Sequence, residues 1–127
     1  MKTHRLHGLV AATHTPFRAD GSLNLAAVEA IARHLSQRSV GWAFIGGSTG
    51  ECHSLSHEER RLLARRWLEV TRGTALRVVV HVGSNCLAEA RVLAAEAEAL
   101  GATAIAALSP SYFKPRQVEA LVDCCAE

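Results

Sequence analysis

The sequence predicts an α/β fold made of four βα units with parallel strands. Three observations carry that prediction. Short apolar runs alternate with segments of helical periodicity. Strand starts near His7, Val40, Leu76 and Thr103 lie 33, 36 and 27 residues apart, enough for a right-handed helical crossover each time. Every loop rich in Gly, Ser, Thr or Tyr follows a strand, whereas those after helices, such as Arg38-Ser39 and Gly101-Ala102-Thr103, are short and plain. One functional face at the carboxyl ends of the strands follows, in either a barrel or an open sheet.

Leu6 to Ala12 reads as the first strand and ends in Thr13-His14-Thr15-Pro16-Phe17. Pro16 cannot continue a central ladder and biases Thr15 towards extended backbone. Asp20-Gly21 signals a turn, and Asn24 is the expected N-cap of the first helix. Val28, Ile31, Ala32 and Leu35 recur at helical spacing and form its apolar stripe. Val40 to Ile45 is the second strand. After the loop that follows it, Ser56 and Glu59 have the spacing of a capping box, and Leu63, Trp67 and Val70 continue one face of the second helix.

Leu76 to Val82 is the third strand, nearly continuous in β-branched residues after Arg77, as expected where both faces are covered. Gly83-Ser84-Asn85 turns the chain. Ala90, Leu93, Ala94, Ala97 and Leu100 then face inward on a third helix that Gly101 stops. Ala104 to Leu108 is the fourth strand, and Ser109-Pro110-Ser111-Tyr112-Phe113 follows it. Pro115 is expected in the first turn of a fourth helix, marked by Val118, Leu121, Val122 and Cys125.

The loop Gly46-Gly47-Ser48-Thr49-Gly50-Glu51 carries the chemistry. Its three glycines let the backbone turn sharply and approach a ligand with no Cβ in the way. Ser48 and Thr49 bring two hydroxyls and two backbone N–H groups to a strand tip, a setting for a carboxylate or phosphate. Two nucleotide-loop readings fail: Gly47 stands where a P-loop starting at Gly41 needs its lysine, and Ile45 stands where a dinucleotide fingerprint needs glycine. An ordinary glycine-rich turn is the plain alternative. Glu51 is expected to hold loop N–H groups with its carboxylate rather than act as a general acid or base, and His81 to be a satisfied core histidine rather than a ligand. His14, beside Thr15 on the functional face, is a candidate for substrate choice.

Composition bounds the rest. The 127 residues make one domain at most, with 49% hydrophobic residues but only 5% aromatic, so packing must rest on Leu, Val, Ile and Ala. A net charge of +2 favours neither nucleic acid nor a membrane surface. Arg60, Arg61, Arg65 and Arg66 sit among Glu58, Glu59 and Glu69 and read as a solvated helix face. The apolar run at the N-terminus is too short and broken for a signal peptide, and none is long enough to span a bilayer. Cys52, Cys86, Cys124 and Cys125 form no C-x-x-C pair, which suits reduced thiols in the cytoplasm. The seven histidines lack metal-ligand spacing, so no metal site is expected.

Taken together the motifs resemble those of the N-acetylneuraminate lyase and dihydrodipicolinate synthase family. They are Thr15-Pro16-Phe17, Gly46-Gly47-Ser48-Thr49-Gly50-Glu51, Leu55-Ser56-x-x-Glu59-Arg60, His81-Val82-Gly83 and Ser109-Pro110-Ser111-Tyr112-Phe113-Lys114-Pro115. The resemblance implies a parallel (β/α)8 TIM barrel, of which residues 1–127 form the N-terminal half. It also implies class I aldolase chemistry, in which a lysine forms a Schiff base with pyruvate or a related 2-keto acid and no cofactor is needed. Ser48 and Thr49 would hold the pyruvate carboxylate, with Gly47 and Thr15 as further substrate-binding positions. Ser48 and Tyr112 would be proton-relay candidates, and the complete protein a homo-oligomer, dimer or tetramer.

One departure bears on activity. The only lysines are Lys2 and Lys114, and neither matches the Schiff-base position, so the chain alone is expected to be inactive. A half barrel is also expected to leave unpaired strand edges and apolar surface. Two rival readings remain at this stage. One is a non-catalytic truncated paralogue that binds pyruvate or a full-length relative. The other is a flavodoxin-like sheet binding a phosphate ligand at the same loop. Gly47 ahead of Ser48 leans towards the sialic-acid lyase branch, although the second substrate is not fixed by these residues.

Overall fold

In the computed structural model, which describes residues 6–126, strands and helices alternate. They are β1 (Val10–Ala12), α1 (Ala27–Gln37), β2 (Trp42–Ile45), α2 (His57–Thr71), β3 (Arg77–His81), α3 (Leu87–Ala99), β4 (Ala104–Ala106) and α4 (Val118–Ala126). The four strands are parallel and lie side by side in chain order. This is a half barrel. It also removes the flavodoxin-like alternative, whose strand order reverses beside the first strand to make a switch point.

Register assigns the faces. Ala43 pairs with Val78 and Ile45 with Val80, and these four join Val28, Leu63, Trp67 and Leu93 in the buried core beneath α1, α2 and α3. The opposite face carries Trp42, Phe44 and Val79, with the His81 ring near that of Phe44. Val78 through His81 are all buried, so β3 is covered on both sides, as its β-branched run requires.

Element ends follow local chemistry. Ser56 Oγ accepts from the Glu59 backbone N–H while the Glu59 carboxylate accepts from Ser56 N–H, completing the capping box of α2. At the end of α3, Gly101 N–H donates to Glu98 O and Ala102 N–H to Ala97 O, with Gly101 at φ 85°. That is a Schellman turn. The same pair of bonds closes α1, from Ser39 to Ser36 and from Val40 to Leu35, with Ser39 at φ 57°.

Several expected boundaries move. β1 starts at Val10, not Leu6, because Gly8 at φ 89° breaks the extended run. Asn24 does not cap α1 through its side chain; the N-cap is Ala26, and Asn24 contributes its carbonyl to Ala27 N–H. Pro115 lies in the loop before α4 and not in its first turn. β4 ends at Ala106, two residues early, since Leu108 N–H turns to the His81 ring.

Candidate functional site

The strand tips come together as the loop asymmetry anticipates. Thr13 N–H, just past β1, donates to Phe44 O of β2 at 3.0 Å. Gly46, just past β2, takes φ 63° and starts the turn. Glu51 N–H then donates to Ser48 O at 3.0 Å and Cys52 N–H to Gly47 O at 3.2 Å, folding the loop over itself. Gly47 rests on the Phe44 ring, where a Cβ would meet Cε1 at 2.4 Å. Gly50 presses on backbone instead: a Cβ there would lie 3.0 Å from Gly46 N and 3.2 Å from Thr13 O. Close backbone approach is why this loop needs glycine at both positions.

Ser48 and Thr49 are exposed at the crest of that turn. Among the described residues, neither hydroxyl and neither backbone N–H has a hydrogen-bond partner. Two residues on a braced turn therefore present four free donors, suited to an anion with two oxygens. Gly47 is buried, and its backbone carbonyl braces the turn by accepting from Cys52 N–H. Thr15 is buried as well, and its Oγ1 donates to Gly50 O at 2.7 Å. Its hydroxyl proton is spent on bracing the loop.

Glu51 departs from expectation. Its carboxylate is exposed and makes no hydrogen bond among the described residues. Its backbone does the work, at φ 59° with its carbonyl accepting from Ser54 N–H. His14 is also exposed on this face.

Tyr112 is 80% exposed and stands edge-on to Phe113, ring centroids 4.9 Å apart. No hydrogen bond joins it to Ser48 or Thr49 among the described residues, so a single copy of the chain does not assemble the two relay candidates into one network. Its loop is held by Asn85, whose Oδ1 accepts from Ser111 N–H at 2.8 Å and Tyr112 N–H at 3.2 Å. The sequence reading assigned Asn85 only to a turn; the signal it offered was an Asx-type acceptor in a loop at the functional face.

Arg60 corrects the solvated-face reading. It is only 8% exposed, and its Nη2 donates to the carbonyls of His81 and Gly83, each at 3.0 Å. These carbonyls belong to the tip of β3, where the ladder is ending. Burial lowers the guanidinium pKa, opposed by Cys52 and Glu89 nearby, and an arginine stays charged through any such shift. The signal was present: Arg60 shares the stripe of Leu63, Ala64 and Trp67 at i+3, i+4 and i+7. Beside it, His57 lies 3.7 Å from Glu89 and 3.3 Å from Glu96, both on α3. No group of three metal-binding side chains occurs among the described residues, and no helix is long and apolar enough to cross a membrane.

The dihydrodipicolinate synthetase family model matches residues 5–122. The chain belongs to that family. Among curated members it is 44% identical over 119 residues to N-acetylneuraminate lyase A of Xenopus laevis, covering 93% of this chain and 39% of that one. Among solved members it superposes on Proteus mirabilis N-acetylneuraminate lyase with a TM-score of 0.92 and 41% identity, covering 96% of this chain and 41% of the other. A prophage protein of the family from E. coli, solved in complex with pyruvate, gives a TM-score of 0.88 at 28% identity, covering 94% and 39%. The chain thus spans about two fifths of the length of the family members it matches.

Proposed function

We propose that this chain supplies the carboxylate-holding half of a pyruvate-dependent, Schiff-base-forming aldolase site, on the N-acetylneuraminate lyase side of its family. The observation that carries the reading is the Ser48–Thr49 crest: four unengaged donors on a turn braced by Thr15, Gly47 and Gly50. A 2-keto acid's carboxylate would accept from them, which fixes the keto carbon relative to an attacking amine. That amine is neither Lys2 nor Lys114, so the reaction needs residues outside this set. A pyruvate complex of a family member supports the ligand class. The named lyases at 36–44% identity support the branch. Tyr112, reaching from its exposed loop towards a second copy, would move protons in a dimer or tetramer. Four free thiols fit a cytoplasmic setting.

Amide NMR with added pyruvate tests the cradle. Ser48 and Thr49 signals shift on titration, and Ser48→Ala or Thr49→Val each weakens binding about tenfold. Signals that stay unmoved at millimolar pyruvate sink the reading. Borohydride treatment with labelled pyruvate leaves this chain unlabelled; covalent label would reveal an amine in the site.

A further inference from the structure

The mechanism above leaves His81 unused, yet it is a polar side chain buried to 3% exposure at the centre of the strand tips. Leu108 N–H, beyond β4, donates to its Nε2 at 3.3 Å. A backbone N–H can only donate, so Nε2 is the bare nitrogen of a neutral ring and the proton sits on Nδ1, while the two hydrogens of the nearby Arg60 Nη2 are taken by the His81 and Gly83 carbonyls. The ring lies 6.1 Å from that of Phe44, centroid to centroid, and Phe44 is the surface on which Gly47 rests. Gly83 makes room for the arrangement. A Cβ there would come within 2.9 Å of Leu108 N and 3.0 Å of His81 Nε2.

We infer that His81 is a positioning residue of the Ser48–Thr49 cradle, its imidazole tying the tip of β3 to the loop after β4 and backing the Phe44 ring that supports Gly47. The inference rests on the proposed keto-acid reading. It gives the imidazole a state-dependent role: protonation at Nε2 would set its N–H against the Leu108 N–H, two donors facing each other, and the tie would break. Arg60 opposes that protonation. Arg60 of α2 has Nη2 3.5 Å from Nδ1, and Arg61 of α2 and Glu96 of α3 line the same small cavity. His53, in the loop before α2, adds further repulsion. Burial first, then Arg60, lowers the imidazole pKa below its ordinary 6.5, while a backbone hydrogen bond with Gly46 pulls the other way.

The sign follows. A folded-state pKa below the unfolded one means that the tie is fully present above pH 6.5 and is lost as pH falls through the lowered value. His81→Gln separates positioning from simple packing, because the glutamine carbonyl can accept from Leu108 N–H and does not titrate. Hydrogen-exchange mass spectrometry without ligand, corrected for the intrinsic pH dependence of exchange, reads the tie directly. In the wild type, protection at Leu108 and in the loop from Gly46 to Glu51 falls between pH 7.5 and a pH below the titration of the His81 ring, which its own NMR signals locate. In His81→Gln it holds at both. Flat protection in the wild type, or a variant that titrates like it, overturns the inference. Pyruvate affinity, read by saturation transfer to its methyl group, is expected to drop about tenfold over that range in the wild type alone. Absence of binding in both proteins at both pH values counts against the keto-acid reading, and the exchange profile then decides on His81 by itself.

Discussion

Thr15 shows how one hydroxyl can set a site without touching a ligand. Its bond to Gly50 O spans 35 residues and is buried, so Thr15→Val keeps the shape and leaves a carbonyl unpaired. That costs about 1–3 kcal/mol, visible as a lower urea midpoint, and weakens pyruvate binding by freeing the turn. A stability loss with binding unchanged would show that the brace does not matter to the cradle. Gly50→Ala acts on the other side of the same joint. Its Cβ would meet only backbone, at Gly46 and Thr13, and no side chain can swing away to relieve it. A loss of about 1–3 kcal/mol is expected; a neutral result would mean that the loop slides outward at little cost. The exposed turn at Ser48 and Thr49 was legible in the sequence because glycines flank them. Thr15 stood out in the sequence as a substrate-binding candidate and not as a brace, since a hydroxyl's partner 35 positions away leaves no local pattern.

Helices and strands were read well where periodicity carried them and poorly where a single residue's conformation did. The stripe of α1 and the capping box of α2 follow from spacing alone. The closing turn of α1 does not: Ser39 adopts φ 57° at the position where α3 uses Gly101 at φ 85°, and nothing in Arg38-Ser39 announces a left-handed residue. Ser39→Gly removes the Cβ penalty while keeping both closing hydrogen bonds, and raises stability by about 1 kcal/mol. An unchanged or lower urea midpoint would show that the serine is not strained. Arg60 illustrates the converse failure. Its place on the buried stripe was visible, but residue type outweighed position, and a charge was assigned to solvent. The carbonyls it serves lie at the end of β3 and two residues past it, more than 20 residues further along the chain. Contacts of that range appear only once the helix is laid on the sheet.

The sheet as a whole is covered unevenly. β2 and β3 are buried between neighbours, whereas β1 and β4 each leave one edge unpaired. Val10 of β1 and Ile105 of β4 are 44% and 50% exposed. α4 contributes no buried residue, and its Val118 and Val122 stand in solvent with Leu108, Tyr112 and Phe113 nearby in the chain. Between α3, β4 and α4 runs a groove of about 630 Å³, lined by Leu87, Val92, Ile105, Leu108 and Leu121 among others. Unpaired edges beside exposed apolar side chains template further pairing. A net charge of only +2 gives weak mutual repulsion against it. The 127-residue chain is therefore expected to sediment as associated species at micromolar concentration, with the monomer fraction rising on dilution. Ile105→Lys places a charge on the β4 edge and shifts the distribution towards monomer, with little cost to a side chain already half in water. A single sharp monomer boundary for the wild type across a hundredfold concentration range would overturn this. So would an Ile105→Lys variant that associates as strongly as its parent, since the contact would then lie away from the open edge.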